Sequence, residues 1–301
     1  MPLPKNWLVT GASGLLGSVV VSRLLERGAR VCAHQHKHAL PFDGSCKIVT
    51  GDLTDLKWSR QLVIDEAPDV IVHCAGLTNV DQCQAKPDYA ELIHVGASES
   101  LAAAAGEIGA HFVHISTDHL WRGDKAMVEE DEPLDPINVY GRTKARAEQR
   151  VLEANRQALV VRTNFFCRGL PWRASLSDWA EQQLRSGIGF SAFTDAYFTP
   201  IEANLLSQLL FELVAKQARG TLHVTGRERL SKYDFVLHLA KRLSLDASGV
   251  EAGKIADAHL IASRPRDMSL STEKASALLG APMPSLNDSF DVLLEQHGLV
   301  D

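Results

Sequence analysis

Short, nearly all-apolar runs alternate with longer amphipathic stretches through the first half of the chain. Trp7-Leu8-Val9 is the first run, followed by Arg30 to His34, Cys46 to Thr50 and the Val- and Ile-rich Asp69 to Cys74. His111 to Ser116 and Ala158 to Arg162 continue the series. Between them, Val19 to Leu25, Asp55 to Glu66, Tyr89 to Ile108 and Val139 to Ala154 carry helical periodicity. Strands apolar on both faces, alternating with helices, predict a parallel sheet covered on both sides. The expected class is therefore α/β, a Rossmann-type doubly wound sheet whose ligands sit beyond the C-terminal strand ends. The loop at 10–17, Cys74-Ala75-Gly76 and Ser116-Thr117-Asp118 all fall at such ends. They are expected to line one crevice.

Two of these places carry chemistry. The loop Thr10-Gly11-Ala12-Ser13-Gly14-Leu15-Leu16-Gly17 lies between the first strand and a helix. Gly11 permits a tight turn, Gly14 lets a pyrophosphate approach the helix N-terminus, and Gly17 allows close packing of that helix on the sheet. Strand before and helix after are the context in which a glycine triplet reads as a dinucleotide loop. At the start of a later helix, Tyr140 and Lys144 stand four residues apart in Tyr-Gly-Arg-Thr-Lys. That spacing puts phenol and ammonium one turn apart on one face. A cation beside a phenol lowers a pKa of about 10, so the pair could exchange a proton with a carbonyl or alcohol oxygen.

Past residue 165 the alternation weakens. Ser175 to Arg185, Ala203 to Lys216, Ser231 to Leu243 (with Ser231 as N-cap) and Ser285 to His297 read as helices, and Leu222 to Thr225 as a strand. The expected division is a dinucleotide-binding domain at 1–165 and a smaller C-terminal substrate-binding domain at 166–301, with interleaving of segments allowed. The acidic run Glu129 to Glu132 reads as a solvated loop.

Composition narrows the class further. The 301 residues are 45% apolar and 23% charged, as in soluble globular proteins. A net charge of -6 predicts no nonspecific binding to nucleic acid or anionic membranes. No apolar run reaches the roughly 18 residues of a membrane span, and Met1 to Lys5 is not signal-like. Five scattered cysteines without Cys-x-x-Cys read as reduced thiols of a cytoplasmic protein.

With these elements placed, the chain resembles the extended short-chain dehydrogenase/reductase family. Within it, the likeness is to dTDP-4-dehydrorhamnose reductases and related sugar-nucleotide ketoreductases. The markers are TGASGLLG at 10–17, GDLTD at 51–55, PDVIVHCAGLTNVDQC at 68–83 and HISTDHLW at 114–121. NVYGRTKARAE at 138–148, RTN at 162–164, GTLHVTG at 220–226 and RPRDMSLSTEK at 264–274 complete them. The segment from Arg168 to Tyr197 matches those reductases least.

Carried over residue by residue, the resemblance implies Thr117, Tyr140 and Lys144 as a catalytic trio. Thr117 would orient a ketone oxygen, Tyr140 would deliver the proton, and Lys144 would lower the phenol pKa and reach the nicotinamide ribose. The expected cofactor residues are Gly11, Ser13, Gly14, Leu15, Leu16, Gly17, His34, His36, Lys37, Asp52, Leu53, Ala75 and Gly76, with Tyr140 and Lys144. The expected substrate residues are Thr78, Val80, Asp81, Thr117, Trp172 and Arg264, and Arg162, Arg168, Arg173 and Arg266 are further cations for a diphosphate. No acid occurs between Glu26 and Asp43, where an NAD site places one. The basic stretch His34 to His38 therefore favours NADPH, with NADH as the alternative. No metal site is expected, because no carboxylate or cysteine spacing accompanies the three histidines.

The function implied is reduction of a nucleotide-linked 4-keto-6-deoxy sugar. The alternatives are an epimerase or dehydratase, and a non-catalytic regulatory subunit like that of methionine adenosyltransferase. A homodimer through Tyr89 to Ile108 and Val139 to Ala154 is also expected, with Ala102 to Gly106 permitting close helix approach.

Overall fold

The computed structural model describes residues 4–40, 42 and 44–295. Through the first half, β1 (Asn6–Thr10), α1 (Leu15–Glu26), β2 (Arg30–Gln35), β3 (Lys47–Thr50), α2 (Leu56–Glu66) and β4 (Val70–His73) follow in order. Next come α3 (Val80–Ala85), α4 (Pro87–Glu91), a π-helical turn (Leu92–Gly96), α5 (Ala97–Ile108), β5 (His111–Ile115), α6 (Val139–Ala154) and β6 (Leu159–Arg162). The second half holds β7 (Phe165–Phe166), α7 (Leu176–Ser186), β8 (Phe190–Phe193), β9 (Tyr197–Phe198), β10 (Ile201–Glu202), α8 (Ala203–Ala215) and β11 (Gly220–His223). It ends with β12 (Leu230–Ser231), α9 (Lys232–Arg242), β13 (Val250–Gly253), α10 (Glu273–Leu279) and α11 (Leu286–Glu295).

Seven strands make one parallel sheet in the order β11-β6-β5-β4-β1-β2-β3. Residues on one face, including Trp7, Val9, Val72, Val113 and Val161, pack under α1 and α8. Leu8, Ile71, Phe112 and Val160 on the other face pack under α2 and α5. Both faces are thus buried, which is why the strand sequences lack polar alternation. The order reverses beside β1, so the crevice between the β1 and β4 ends is the topological switch point.

The chain returns to this sheet after residue 165. Residues 203–223, as α8 and β11, complete it, so the C-terminal unit is interleaved with the first. The remainder has its own core of Phe166, Phe198, Phe235 and Phe290, with ring centroids 5.0–5.7 Å apart. Ser175 and Ser231 close capping boxes at α7 and α9. The expected end of the last helix at His297 lies outside the described residues.

Two expectations need correction. The helix expected from Tyr89 to Ile108 is broken by the π turn, which inserts an extra residue and turns His94 inward. The acidic run is not wholly solvated: Glu130 accepts the His223 amide at 2.9 Å, and its carbonyl accepts from Arg162 at 3.1 Å. Within the stretch expected at a dimer contact, Ala102, Ala104 and Ala105 are buried in the molecule's own packing, while Ala103 and Gly106 face outward. Among the described residues, no helix is long and apolar enough to cross a membrane.

Candidate active site

A cleft of about 570 Å³ opens at the C-terminal ends of β1, β2, β4 and β5. Its wall contains Gly11, Ser13, Gly14, Leu15, Leu16, Gly17, His34, His36, Lys37, Asp52, Leu53, Ala75 and Gly76. Thr78, Val80, Thr117, Tyr140, Lys144 and Trp172 line it as well. Of the expected catalytic, cofactor and substrate residues, only Asp81 and Arg264 fall outside that lining, as do Arg162, Arg168 and Arg266 of the further cations. Asp81 and Arg264 pair with each other at 3.0 Å, and Asp81 also accepts the Ala262 amide at 2.9 Å. Their charges pin the 258–264 loop onto α3.

The glycine loop is built for close approach. Gly11 has φ +65, and a Cβ there would lie 2.7 Å from the Ala75 backbone. A Cβ on Gly17 would lie 2.2 Å from the Gly11 carbonyl oxygen. Gly17 therefore fits α1 against the loop's own backbone, rather than against the sheet as expected. The N-terminus of α1 has no side-chain cap, which leaves its first amides to a ligand. A cradle that a Cβ would fill, beside uncapped amides, suits a pyrophosphate.

His34 does not act as the expected cation for a 2′-phosphate. It is buried, its Nδ1 accepts the Gly11 amide at 3.3 Å, and its Nε2 faces the Gly51 carbonyl at 3.1 Å. The two contacts call for a neutral ring with its proton on Nε2, and burial lowers the pKa in the same sense. The basic side chains exposed just past β2 are instead His36 and Lys37. His36 lies 3.8 Å from Asp52, whose carboxyl is held below its usual range chiefly by the Thr54 amide.

Thr117 follows β5, and Tyr140 opens α6, where Asn138 caps the helix by accepting the Gly141 amide at 2.8 Å. A Cβ on Gly141 would sit 2.2 Å from the His119 carbonyl oxygen, so glycine there lets the start of α6 press against residues 117–119. The Thr117 hydroxyl consequently lies close enough to the Tyr140 phenol to favour its ionised form, against burial. One turn on, Lys144 donates to the Ile115 carbonyl at 2.7 Å and contacts His114 Nε2 at 3.3 Å. Burial lowers Lys144 to about 8, against the pull of Glu148.

The phenol does not show the expected depression. Burial pushes Tyr140 well above its ordinary value, outweighing the Thr117 hydroxyl. The group is therefore held as the protonated donor, which suits proton delivery to a developing alkoxide. The sequence could not reveal this, because four-residue spacing gives proximity but not depth.

Several lining residues were absent from the expected set. Asp118 is buried and accepts from Asn164 at 2.5 Å. His94 reaches the cleft through the π turn, bonding Thr143 at 2.7 Å and the Leu77 amide at 3.0 Å. His94 and His119 present their rings edge-to-face to Tyr140 at 5.7 and 5.5 Å. Asp118 and Asn164 were visible in the Ser-Thr-Asp and Arg-Thr-Asn motifs, whereas His94 had no signal, since a π turn breaks helical periodicity. Cys74 also lines the cleft, but burial pushes its thiol up to about 12, which leaves it un-ionised at neutral pH.

The candidate cations sort themselves by partner. Arg162 is buried on Glu148, with contacts of 2.8–3.1 Å, and is committed to the fold. Arg168 pairs with Glu181 at 2.8 Å and Asp178 at 3.4 Å. Arg173 lines the cleft and donates to Thr78. Trp172, expected at the substrate, is placed instead against the glycine loop. Its Nε1 donates to the Ser13 carbonyl at 3.1 Å, and its ring stacks on His38 at 5.3 Å.

Comparison with known proteins agrees with this geometry. The chain is 33% identical over 293 residues to the probable low-salt glycan biosynthesis reductase Agl14 of Haloferax volcanii, covering 95% of this chain and 96% of that protein. It is 30% identical to methionine adenosyltransferase 2 subunit beta of Rattus norvegicus, covering 91% and 82%. Among solved structures, a hypothetical dTDP-4-dehydrorhamnose reductase from Sulfolobus tokodaii superposes with a TM-score of 0.84 at 30% identity, covering 93% of this chain and 97% of that one. Residues 5–298 match the family described as the RmlD substrate binding domain, and the chain belongs to that family.

Proposed function

We propose that the protein reduces the keto group of a nucleotide-linked 4-keto-6-deoxy sugar, using NADPH. The observation that carries this reading is the convergence of Thr117 and a protonated Tyr140 in the cleft that also holds the uncapped glycine cradle. NAD(P)H held in that cradle would supply the hydride for the carbonyl carbon. Thr117 orients the carbonyl oxygen, and Tyr140 gives it a proton. The buried ammonium of Lys144 stabilises the phenolate left behind and can donate to a ribose hydroxyl. Arg173 is the cation in the cleft wall that a substrate diphosphate can reach.

His36 and Lys37 at the end of β2, with no acid in that strand, favour the 2′-phosphate of NADPH. The experiment is a panel of nucleotide-linked 4-ketosugars followed by NADPH absorbance loss with product analysis, alongside calorimetric titration of both cofactors. Turnover with tighter NADPH binding is expected. Tighter NADH binding would refute the cofactor assignment. Cofactor binding without turnover of any ketosugar would favour a regulatory role, as one relative's name suggests.

We also propose a homodimer through α5 and α6. Its contact would be largely polar, because the outer faces carry the pairs Arg146–Glu91, Arg150–Glu99 and Arg60–Glu107. Light scattering at micromolar concentration that finds only monomer mass would exclude it.

A further inference from the structure

Residues 167–175 form a loop that is closed at its base and reaches from the C-terminal unit to the glycine loop. The base is pinned at the start of α7, where the Cys167 carbonyl accepts from Ser175 Oγ at 2.5 Å and from Ser177 Oγ at 2.7 Å. The tip is a two-residue turn: Leu170 and Arg173 exchange both backbone hydrogen bonds at 2.8 Å, with Pro171 and Trp172 between them. Proline fixes one of the turn's few soft dihedrals. Gly169 lets the two arms close, since a Cβ there would lie 2.7 Å from the Arg173 carbonyl oxygen. The tip is therefore a stiff finger.

Two neighbouring side chains of this finger hold three separate walls of the cleft. Trp172 Nε1 donates to the Ser13 carbonyl at 3.1 Å, in the glycine loop after β1. The same ring stacks on His38, past the end of β2, with centroids 5.3 Å apart and planes within 3° of parallel. Arg173 donates to the hydroxyl of Thr78, past the end of β4. β2 and β4 flank β1 on either side, so ordinary strand spacing sets them about 10 Å apart. The finger spans that distance, and Ser13, His38 and Thr78 all line the cleft with it.

We infer that Trp172 is a latch on the dinucleotide, closing the cleft over the glycine loop. A dinucleotide stretched from His36 and Lys37 to Tyr140, with its pyrophosphate on the first amides of α1, passes beneath this crossing. It enters or leaves when Trp172 parts from Ser13 and His38 together. An indole N–H is a donor only, so the Ser13 carbonyl uses its full capacity and the latch has one polar bond to break. The flat stack on His38 is the other contact to be broken. The latch requires a dinucleotide in the cleft and is independent of which ketosugar follows it.

The test is stopped-flow release of NADPH chased by excess NADP⁺, with NADH chased by NAD⁺ alongside, in wild type, Trp172→Phe and Trp172→Ala. Trp172→Phe keeps a ring for the stack and removes the N–H donor, so release should quicken about three- to tenfold. Trp172→Ala removes both contacts and should quicken it about ten- to a hundredfold. Because the latch obstructs the path in both directions, association should quicken too, and Kd should change less than the release rate. His38→Leu breaks the stack from its other side, and combined with Trp172→Ala it should add nothing. Unchanged release in both Trp172 variants would overturn the latch. So would faster release matched by an equal rise in Kd, which would make Trp172 a support of the glycine loop, and so would additive effects of the two rings. Failure of every ketosugar to turn over, with the release rates as expected, would refute the reductase reading and uphold the latch.

Discussion

Replacing Tyr140 by phenylalanine is expected to lower ketosugar reduction by at least about 100-fold, since general acid catalysis typically contributes 10²–10⁴-fold. NADPH affinity should hardly change. The substitution removes one oxygen from a ring already packed edge-on against His94 and His119, so the walls of the cleft stay where they are. The Thr117 hydroxyl keeps its bonds to Asp118 and the His119 amide. A large activity loss with intact cofactor binding therefore isolates the proton. The measurement is single-turnover reduction under saturating NADPH, and wild-type rates in the variant would remove Tyr140 from the mechanism.

Gly17→Ala should weaken NADPH binding by at least about tenfold, and through a different route. Its new Cβ would lie 2.2 Å from the Gly11 oxygen, 2.8 Å from the Gly11 carbon and 2.9 Å from the Ala12 Cα. All three are backbone atoms, so no side chain can swing away. Either α1 withdraws or the loop deforms, and overpacking of this kind costs about 1–3 kcal/mol, where 1.4 kcal/mol is tenfold in affinity. Alanine favours helix over glycine by roughly 1 kcal/mol, which offsets part of the effect on stability but none of the loss of cradle geometry. Calorimetric titration on protein whose circular dichroism matches wild type is the check. An unchanged Kd would mean that the pyrophosphate does not sit on this loop.

The sheet was legible in the sequence because its cause is local and repeated. Each strand is apolar on both faces, each helix keeps one apolar stripe, and the alternation leaves one architecture. The glycine loop and the Tyr140–Lys144 pair were legible for the same reason: both depend on spacing within a single element or turn. Thr117 belonged with them because the strand it follows was recognisable and ligands of such sheets gather at those ends.

What failed was any assignment that required a partner distant in sequence. His34 looked like one of three basic side chains, yet the amide of Gly11 and the carbonyl of Gly51 make it a neutral prop for the glycine loop. Arg162 looked available for a diphosphate until Glu148 was found on it, and Asp81 and Arg264 looked like substrate groups until they were found on each other. Trp172 lies 159 residues from Ser13, whose carbonyl it binds, and no periodicity reaches that far. The π turn that delivers His94 erased the very pattern by which a helix is recognised.

By itself, then, the sequence determined the layered sheet, the glycine cradle and the presence of a phenol beside an ammonium, since these follow from side-chain periodicity and residue type over a few turns. The tertiary structure alone decided how deeply the phenol lies, which charges are consumed in pairs and which line the cleft. Depth and pairing depend on which distant segments meet, and a charge acts on a ligand only when no protein group has already claimed it.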